Sequence, residues 1–324
     1  MLRFMIQKKI RVILLMFATM NNLKTNLISF PTKNYFYDNE HLVKENVYNG
    51  MMNRFIYEKK LGRCFRAILN RAWFSFLTGI YYDSSFSKRS IKNFVSKYNI
   101  DMSECEKNID EFKTFNEFFT RTLKPGSRQI DQTINVLISP ADSKLFVIEN
   151  ITKQTKFEIK NLNFDLIKFF KSEELANKFE GGALLVFRLA PYDYHHFHFP
   201  FDAKILNMQV INGIYDSVNP VAYKAGYLPL IENERHLTIL KSDIFGEVAF
   251  VSVGAMCVGK IVENYQENKN YKKGDDAGYF AFGGSTVAMM FKKDQLKIDE
   301  RFLKHSKEGY ETKIRFGERV GVKI

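Results

Sequence analysis

Short apolar runs separated by turn-forming residues dominate the chain from residue 136 onward, and they constrain the fold more than any other feature. Runs of this length are typical of strands, and their short connections favour antiparallel pairing. One helix is expected among them, at residues 163–179, where apolar residues recur on one side. The strands are expected at residues 136–138, 145–148, 183–189, 205–211, 237–240, 248–253 and 286–291.

Helical patterns precede these strands. Residues 21–45, rich in Asn, Lys and Tyr, predict an irregular lead-in, and residues 65–80 carry apolar side chains at helical spacing. Thr114 and Glu117 have the spacing of a capping box, ahead of an apolar face that ends at Lys124-Pro125-Gly126. The sequence therefore predicts an α+β fold, with a basic helical N-terminal region followed by a β-rich, mostly antiparallel body.

Positive charge is confined to the first third of the chain. Residues 1–100 hold 17 Lys and Arg against 5 Asp and Glu, a difference of +12, so residues 101–324 balance at 31 against 31. Such asymmetry predicts an anionic partner, either nucleic acid or lipid. Lipid is favoured because Trp73 and Phe76 lie beside Arg63 and Arg71, and no nucleic-acid-binding module is recognisable. The same apolar stripe could instead pack on the domain, so both alternatives stay open.

The N-terminus and the cysteines give weaker constraints. An apolar run at residues 12–18 is too short to span a bilayer, so residues 1–32 are expected to be an extension that acts as a weak surface anchor or arises from an upstream start codon. Cys64, Cys105 and Cys257 have no ligand spacing. This predicts free thiols in a reducing compartment and no structural metal.

Three short motifs contain residues suited to chemistry. In Phe282-Gly283-Gly284-Ser285-Thr286 the glycines leave the carbonyl of Gly284 open to close approach. Asp142 follows a predicted strand and Pro140; it could orient a histidine, although an Asx turn is its commoner role. The third motif is Tyr194-His195-His196-Phe197-His198-Phe199-Pro200. It favours acid–base chemistry over metal binding, because no supporting carboxylate or cysteine has ligand spacing.

In this order the three motifs resemble those of the pyruvoyl-dependent phosphatidylserine decarboxylases, over about residues 35–324. The resemblance implies that Asp142, His198 and Ser285 form a relay in which Ser285 attacks the Gly284 carbonyl and the chain is cut between these two residues. Further matching stretches are Phe115-Asn-Glu-Phe-Phe-Thr-Arg-Thr-Leu-Lys-Pro-Gly126, Leu189-Ala-Pro-Tyr-Asp-Tyr-His195, Ser217-Val-Asn-Pro220, Val253-Gly-Ala-Met-Cys-Val-Gly259 and Lys273-Gly-Asp-Asp-Ala-Gly-Tyr-Phe280.

The resemblance also implies a cofactor and a reaction. Ser285 would become an N-terminal pyruvoyl group, which forms a Schiff base with phosphatidylserine and releases phosphatidylethanolamine after loss of CO₂. His195 is the candidate proton donor, with a structural role in shaping its loop as the alternative. The expected partner is phosphatidylserine in an anionic membrane, and the expected location is peripheral, at the cytoplasmic face of the cell membrane.

The predicted domains are the extension at 1–32, a basic membrane-associating helical region at 33–124 and a β-rich catalytic domain at 125–324. Cleavage would give a large chain, 1–284, and a small chain, 285–324. A 40-residue piece (324 − 285 + 1) rarely folds alone, so the two chains are expected to stay together as a heterodimer, with any higher oligomer left open.

One departure from the family pattern and two alternatives remain. Ser143 stands where the family usually has Gly; if the turn needs a positive φ there, Asp142 would be displaced and self-cleavage slowed. The first alternative is a pyruvoyl decarboxylase of a soluble amino acid, which the basic, Trp-bearing first 100 residues disfavour. The second is an uncleaved lipid-binding relative.

Overall fold

The computed structural model describes residues 27–159, 162–256 and 260–324. The apolar run at residues 12–18 and Cys257 lie outside the described residues. The helices are α1 Gly50–Glu58, α2 Lys60–Leu69, α3 Ala72–Asp83, α4 Ile91–Tyr98, α5 Phe115–Phe119, α6 Leu166–Phe170, α7 Glu173–Phe179, α8 Pro220–Lys224, α9 Pro229–Glu232 and α10 Glu300–Lys307, with 3-10 turns at Ser85–Ser90 and Met102–Glu104. The strands are β1 Tyr35–Asp38, β2 His41–Lys44, β3 Val136–Ile138, β4 Ser143–Ile148, β5 Gln154–Lys156, β6 Asn163–Asp165, β7 Ala183–Leu189, β8 His196–His198, β9 Ala203–Ile211, β10 Arg235–Ser242, β11 Gly246–Val253, β12 Ile261–Glu263, β13 Asn270–Tyr271, β14 Asp276–Phe280, β15 Ser285–Phe291, β16 Leu296–Ile298, β17 Glu311–Ile314 and β18 Arg319–Lys323.

A ten-stranded sheet forms the centre of the molecule, in the order β13-β9-β10-β11-β15-β7-β4-β17-β1-β2. Its pairs are antiparallel apart from β1 with β17. Every residue of β7 and β15 is buried, because alternate side chains enter separate apolar layers on the two faces of the sheet. The predicted α+β class, with helices first and a mostly antiparallel body second, is confirmed.

The prediction of one helix at residues 163–179 is wrong, because these residues do not form a continuous helix. Residues 163–165 form β6, and two short helices follow it. Lys171 has a left-handed φ of 53°, which ends α6, and the hydroxyl of Ser172 accepts a hydrogen bond from the Leu175 amide at 3.2 Å to begin α7. A Ser side chain that caps the next helix in this way sets a boundary within one apolar stripe.

The predicted helix at residues 65–80 is also divided, into α2 and α3. The carbonyl of Asn70 accepts from the Tyr215 amide at 2.9 Å, so it is lost to the helical ladder. Such a break lets the two helices turn against one another. At residue 114 the N-cap half of the predicted capping box is confirmed, since the Thr114 hydroxyl accepts from the Glu117 amide at 3.1 Å. The Glu117 carboxylate accepts from the Lys113 amide at 2.7 Å, one residue before the expected Thr114. Helix α5 ends already at Phe119.

The predicted irregular lead-in is wrong for residues 35–44, which form the hairpin of β1 and β2 around a left-handed Asn39. Strand β1 extends the main sheet by pairing in parallel with β17. Asn tolerates positive φ better than most residues and therefore suits this tight turn.

Residues 285–324 are threaded through the fold. Strand β15 lies between β11 and β7, whereas β17 lies between β4 and β1. Strands β16 and β18 pair with each other, and β18 also pairs with β3. This last segment therefore depends on the earlier part of the chain for nearly all of its neighbours.

A buried cluster of three charged side chains joins strands β7 and β17 to the residue that follows β2. Arg188 on β7 donates to Glu311 on β17, with Nε 2.7 Å from Oε1, and to both carboxylate oxygens of Glu45 at 3.1 and 3.0 Å. All three side chains are buried. One guanidinium thus compensates two carboxylates that would otherwise repel each other.

We expect Arg188→Ala to lower the free energy of unfolding by about 3–5 kcal/mol, because it removes the guanidinium that forms ion pairs with both buried carboxylates. Urea unfolding of chains that also carry Ser285→Ala measures the loss on a single uncut polypeptide. The control is Lys313→Ala on β17, whose partner Asp38 is partly exposed, and it should cost no more than about 1 kcal/mol. Equal losses in the two variants would contradict the assignment of the cluster as a stabilising centre.

Candidate active site

Ser285 is the first residue of β15 and pairs with Leu189 of β7. Its side chain is fully buried, and its Oγ lies 3.3 Å from Nδ1 of His195. Before it, Gly283 has a φ of 136°, a conformation that residues with a side chain rarely adopt. The turn therefore needs glycine at 283, and the strand pairing then fixes the direction of the Ser285 hydroxyl.

The hydrogen bonds of His195 define its tautomer. Nε2 lies 3.0 Å from the carbonyl oxygen of Ala190, which can only accept, so Nε2 carries the ring proton. Nδ1 is then left with a lone pair, directed at the Ser285 hydroxyl. In this arrangement the Ser285 O–H donates to a histidine nitrogen that is able to take its proton.

The surroundings of His195 keep it neutral. The ring is fully buried and stacks on Phe119 with a centroid distance of 3.9 Å. Burial holds the pKa of His195 well below its usual 6.5, and the positive charge of Arg121 lowers it further. The unprotonated form, which is the form that acts as a base, therefore persists through neutral and mildly acidic pH.

The loop that presents His195 is held by charged partners that the sequence motifs did not identify. The carboxylate of Asp193 accepts from the Ala190 amide at 2.7 Å and from Lys144 Nζ at 2.7 Å. Arg121 donates to the carbonyls of Tyr192 and Asp193 at 3.3 and 3.2 Å. Phe119, Arg121 and Asp193 lie in stretches that resemble the family, and Lys144 closely follows Asp142, but the sequence predicted no role for any of them.

His198 occupies a different environment on β8. Its Nδ1 lies 3.1 Å from the Gly274 carbonyl, its Nε2 lies 3.3 Å from the Tyr194 hydroxyl, and its ring stacks on Phe316 at 3.7 Å. Burial lowers the pKa of His198 to about 4. Within the described residues His198 makes no hydrogen bond to Ser285 or to Asp142.

Asp142 is held by Arg128 and by the main chain. Its carboxylate accepts from Arg128 Nε at 3.0 Å and from the Phe316 amide at 2.8 Å. Phe316 thus contacts both side chains, since its amide donates to Asp142 and its ring stacks on His198. Among the described residues neither Asp142 nor His198 makes a hydrogen bond to Ser285, so their relay stays a prediction. His195 is the histidine found against the serine.

The concern about Ser143 does not arise in this structure. Ser143 begins β4 and is not among the residues of positive φ. Its hydroxyl donates to the Ala141 carbonyl at 3.3 Å. A side chain at this position is therefore compatible with the turn that holds Asp142.

A cavity of about 260 Å³ opens beside the Gly284–Ser285 bond. Gly283 and Gly284 form part of its wall, together with Ala190 and Tyr192 from the His195 loop. Helices α1 and α3 contribute further parts of the wall, and Asn219 adds a polar group. A buried serine and a neutral histidine beside such a cavity define a site for nucleophilic and acid–base chemistry.

Comparison with known proteins gives a consistent result. The sequence profile described as phosphatidylserine decarboxylase matches residues 115–322. Proteins named phosphatidylserine decarboxylase proenzyme are similar in Clostridium perfringens (44% identical over 268 residues, 82% of this chain and 91% of the relative) and Ruminiclostridium cellulolyticum (41% over 278 residues, 86% and 93%). The protein of that name in Clostridium tetani is 40% identical over 295 residues, 91% of this chain and 98% of its own. This chain belongs to the phosphatidylserine decarboxylase family.

The two histidines can be separated by matched substitutions. We expect His195→Ala to slow breakage of the Gly284–Ser285 bond by at least about a hundredfold, because it removes the base that contacts Ser285. His198→Ala leaves that contact in place and should have a much smaller effect. Cell-free synthesis followed by intact-mass measurement over time gives both rates, and melting of the same variants combined with Ser285→Ala controls for folding.

The pH dependence provides a second readout of the same prediction. Only neutral His195 accepts the proton, so the rate falls as pH drops through its folded pKa, which lies well below 6.5. Wild-type cleavage should therefore be as fast at about pH 6 as at about pH 8.

The substitutions also have an outcome that would contradict the assignment of His195. Cleavage that stops in His198→Ala but continues in His195→Ala would favour the relay predicted from the motifs.

Proposed function

We propose that this chain is a phosphatidylserine decarboxylase that makes its own pyruvoyl group by cutting itself between Gly284 and Ser285. The observation that carries the proposal is the Ser285 Oγ, 3.3 Å from the unprotonated Nδ1 of His195 and directly after two glycines. Membership of the family supports the substrate, because the similar proteins are named for phosphatidylserine.

In the proposed cleavage, the Ser285 hydroxyl gives its proton to His195 Nδ1, and its oxygen attacks the carbonyl carbon of Gly284. The C–N bond breaks, the nitrogen of Ser285 takes up the proton, and an ester joins the two residues. His195, neutral again, then takes the Cα proton of Ser285, the Cα–Cβ double bond forms, and the bond between Cβ and Oγ breaks to release the Gly284 carboxylate. Hydrolysis of the resulting dehydroalanine consumes one water and releases ammonia, which leaves the pyruvoyl group at position 285.

The residues around position 285 fit a pyruvoyl group. The site is buried, the neutral ring of His195 faces it, and the cavity wall at Gly283 and Gly284 lies next to it. Once formed, the group supplies an electrophilic carbonyl for the substrate amine and an electron sink for decarboxylation. A proton that His195 accepts at Nδ1, for example from the substrate amine, can be returned from the same atom, because the lowered pKa of His195 favours its release. We therefore keep His195 as the proton donor in this proposal.

Both pieces of a cut chain would remain associated. Strand β15 is paired on both sides, and so is β17, which is separated from it by β7 and β4. Cleavage breaks one peptide bond and none of these ladders. We accordingly propose a heterodimer of residues 1–284 and 285–324, with the catalytic part in residues 125–324.

An exposed apolar face supports association with a membrane. Trp73, Phe76, Leu77 and Ile80 on α3 are 53–66% exposed, and the exposed Arg71 precedes the helix. Apolar patches of this kind mark interaction surfaces, and neighbouring basic residues favour anionic lipid. No helix in the described part of the chain is both long enough and apolar enough to cross a bilayer. We propose peripheral binding through residues 33–124, at the cytoplasmic face of the cell membrane.

The same helices border the cavity. Met52 of α1 and Phe74 and Thr78 of α3 line it together with Gly284. A lipid headgroup at a membrane bound to α3 would therefore lie close to the cavity. This placement favours a lipid substrate over a soluble amino acid.

Purified wild-type protein should consist of two species divided after Gly284, the smaller one carrying a carbonyl that reacts with hydroxylamine. Ser285→Ala should give one uncut chain that releases no CO₂ from phosphatidylserine, because it lacks the nucleophile. Carboxyl-labelled phosphatidylserine and free serine are assayed side by side. An active wild-type protein with an intact Gly284–Ser285 bond would refute the proposal, and release from serine alone would support the soluble alternative.

We expect Phe76→Ser with Leu77→Ser to weaken binding to anionic phosphatidylserine vesicles by at least about tenfold, since each substitution removes about 1.5–3 kcal/mol of apolar burial. Co-sedimentation with the vesicles measures this. The matched control is Ile134→Ser with Val210→Ser, which changes two exposed apolar residues outside the N-terminal helices. Equal loss in the control would show that the α3 face is not the docking surface.

A further inference from the structure

We propose that Asn116 is the positioning residue of the scissile loop and that it connects the loop to the end of α3. This inference rests on the proposed self-cleavage. The Oδ1 atom of Asn116 accepts from the Phe282 amide at 3.0 Å, and its Nδ2 donates to Asp83 Oδ1 at 2.7 Å. Phe282 lies two residues before Gly284, whose carbonyl is attacked.

The two hydrogen bonds of Asn116 fix its amide in one orientation. The Phe282 N–H can only donate, and the Asp83 carboxylate can only accept. An amide side chain is therefore needed, with its oxygen towards the loop and its nitrogen towards α3. Asp83 ends α3, so this bridge spans the distance from a surface helix to the cleavage site.

Within the described residues, three hydrogen bonds hold the main chain of residues 280–282, which leads into Ser285. The Phe280 amide donates to the His195 carbonyl at 3.0 Å, and the Ala281 amide donates to the Lys260 carbonyl at 2.9 Å. The Asn116 contact is the third and lies nearest to the scissile bond. It is also the one formed by a side chain, so substitution can remove it without altering the main-chain ladder.

The ring of Phe282 reinforces this position. Tyr82 packs on it with a centroid distance of 3.7 Å, and Phe119 lies 5.1 Å away while stacking on His195. The amide of Phe282 is thus held by Asn116 of α5. Its ring contacts Tyr82 in the last turn of α3 and Phe119 at the end of α5. A displaced Phe282 would move the Gly284 carbonyl relative to Ser285 Oγ, and misplacement of about 1 Å can cost a hundredfold in rate.

The test is an exchange of donor and acceptor. Asn116→Asp places a second carboxylate against Asp83 and removes the donor, so cleavage should slow by at least about tenfold. Asp83→Asn retains an oxygen that accepts from Asn116, and its rate should stay within about twofold of wild type. In Asp83→Asn with Asn116→Asp, the new amide donates to the new carboxylate, which still accepts from Phe282, so the rate should return to within about threefold of wild type.

Rates are measured by intact mass during cell-free synthesis, with wild type in parallel. An acidic residue in the first turn of α5 favours that helix, so Asn116→Asp does not weaken it there, and melting in the Ser285→Ala background checks folding. Wild-type speed in Asn116→Asp, or failure of the double variant to recover, would overturn the role of Asn116. An uncut wild-type chain would instead overturn the proposed function.

Discussion

The pairing of β15 between β7 and β11 is the constraint on which the site depends. It holds Ser285 at the end of a fully buried strand, so the hydroxyl has one direction to point, towards His195. It also explains how the Gly284–Ser285 bond could break without loss of structure, because the ladders on both sides of β15 begin at or after the bond. A serine on a surface turn would have neither property: its hydroxyl would sample many directions, and its strand would be free to leave.

Burial as well as geometry determines the protonation state of the two histidines, His195 and His198. Both are withdrawn from water, and both have lowered pKa values. For His195 the neighbouring Arg121 acts in the same direction as burial, so the ring is kept as a neutral acceptor. The Asp193 carboxylate, bonded to Lys144 and to the Ala190 amide, instead holds the loop in shape. The orienting group of His195 is thus a main-chain carbonyl. The carboxylate that the resemblance implied, Asp142, was expected to orient His198, and that relay stays a prediction.

The sequence predicted strands at 136–138, 183–189 and 286–291 well, because strands buried on both faces have continuous apolar runs. It could not reveal β1, which is short and partly exposed and gains its stability from β17, some 275 residues later. The sequence also could not show which of His195 and His198 contacts Ser285. Both belong to one motif, and the registry of β8 against β14, together with the hydrogen bond to Ala190, decides which ring reaches Ser285. Local spacing carries no information about such a long-range pairing.

Helix α3 combines two properties that bear on each other. One side exposes Phe76 and Ile80, while the last turn places Tyr82 and Asp83 against the elements that hold Phe282. A helix of 12 residues is about 18 Å long, so its exposed face and its last turn lie within one short element. The last turn contacts Phe282 through the ring of Tyr82 and reaches the Phe282 amide through the Asp83–Asn116 bridge. The surface proposed to meet lipid and the loop proposed to be cut are thus joined by direct contacts, although some 200 residues separate them in sequence.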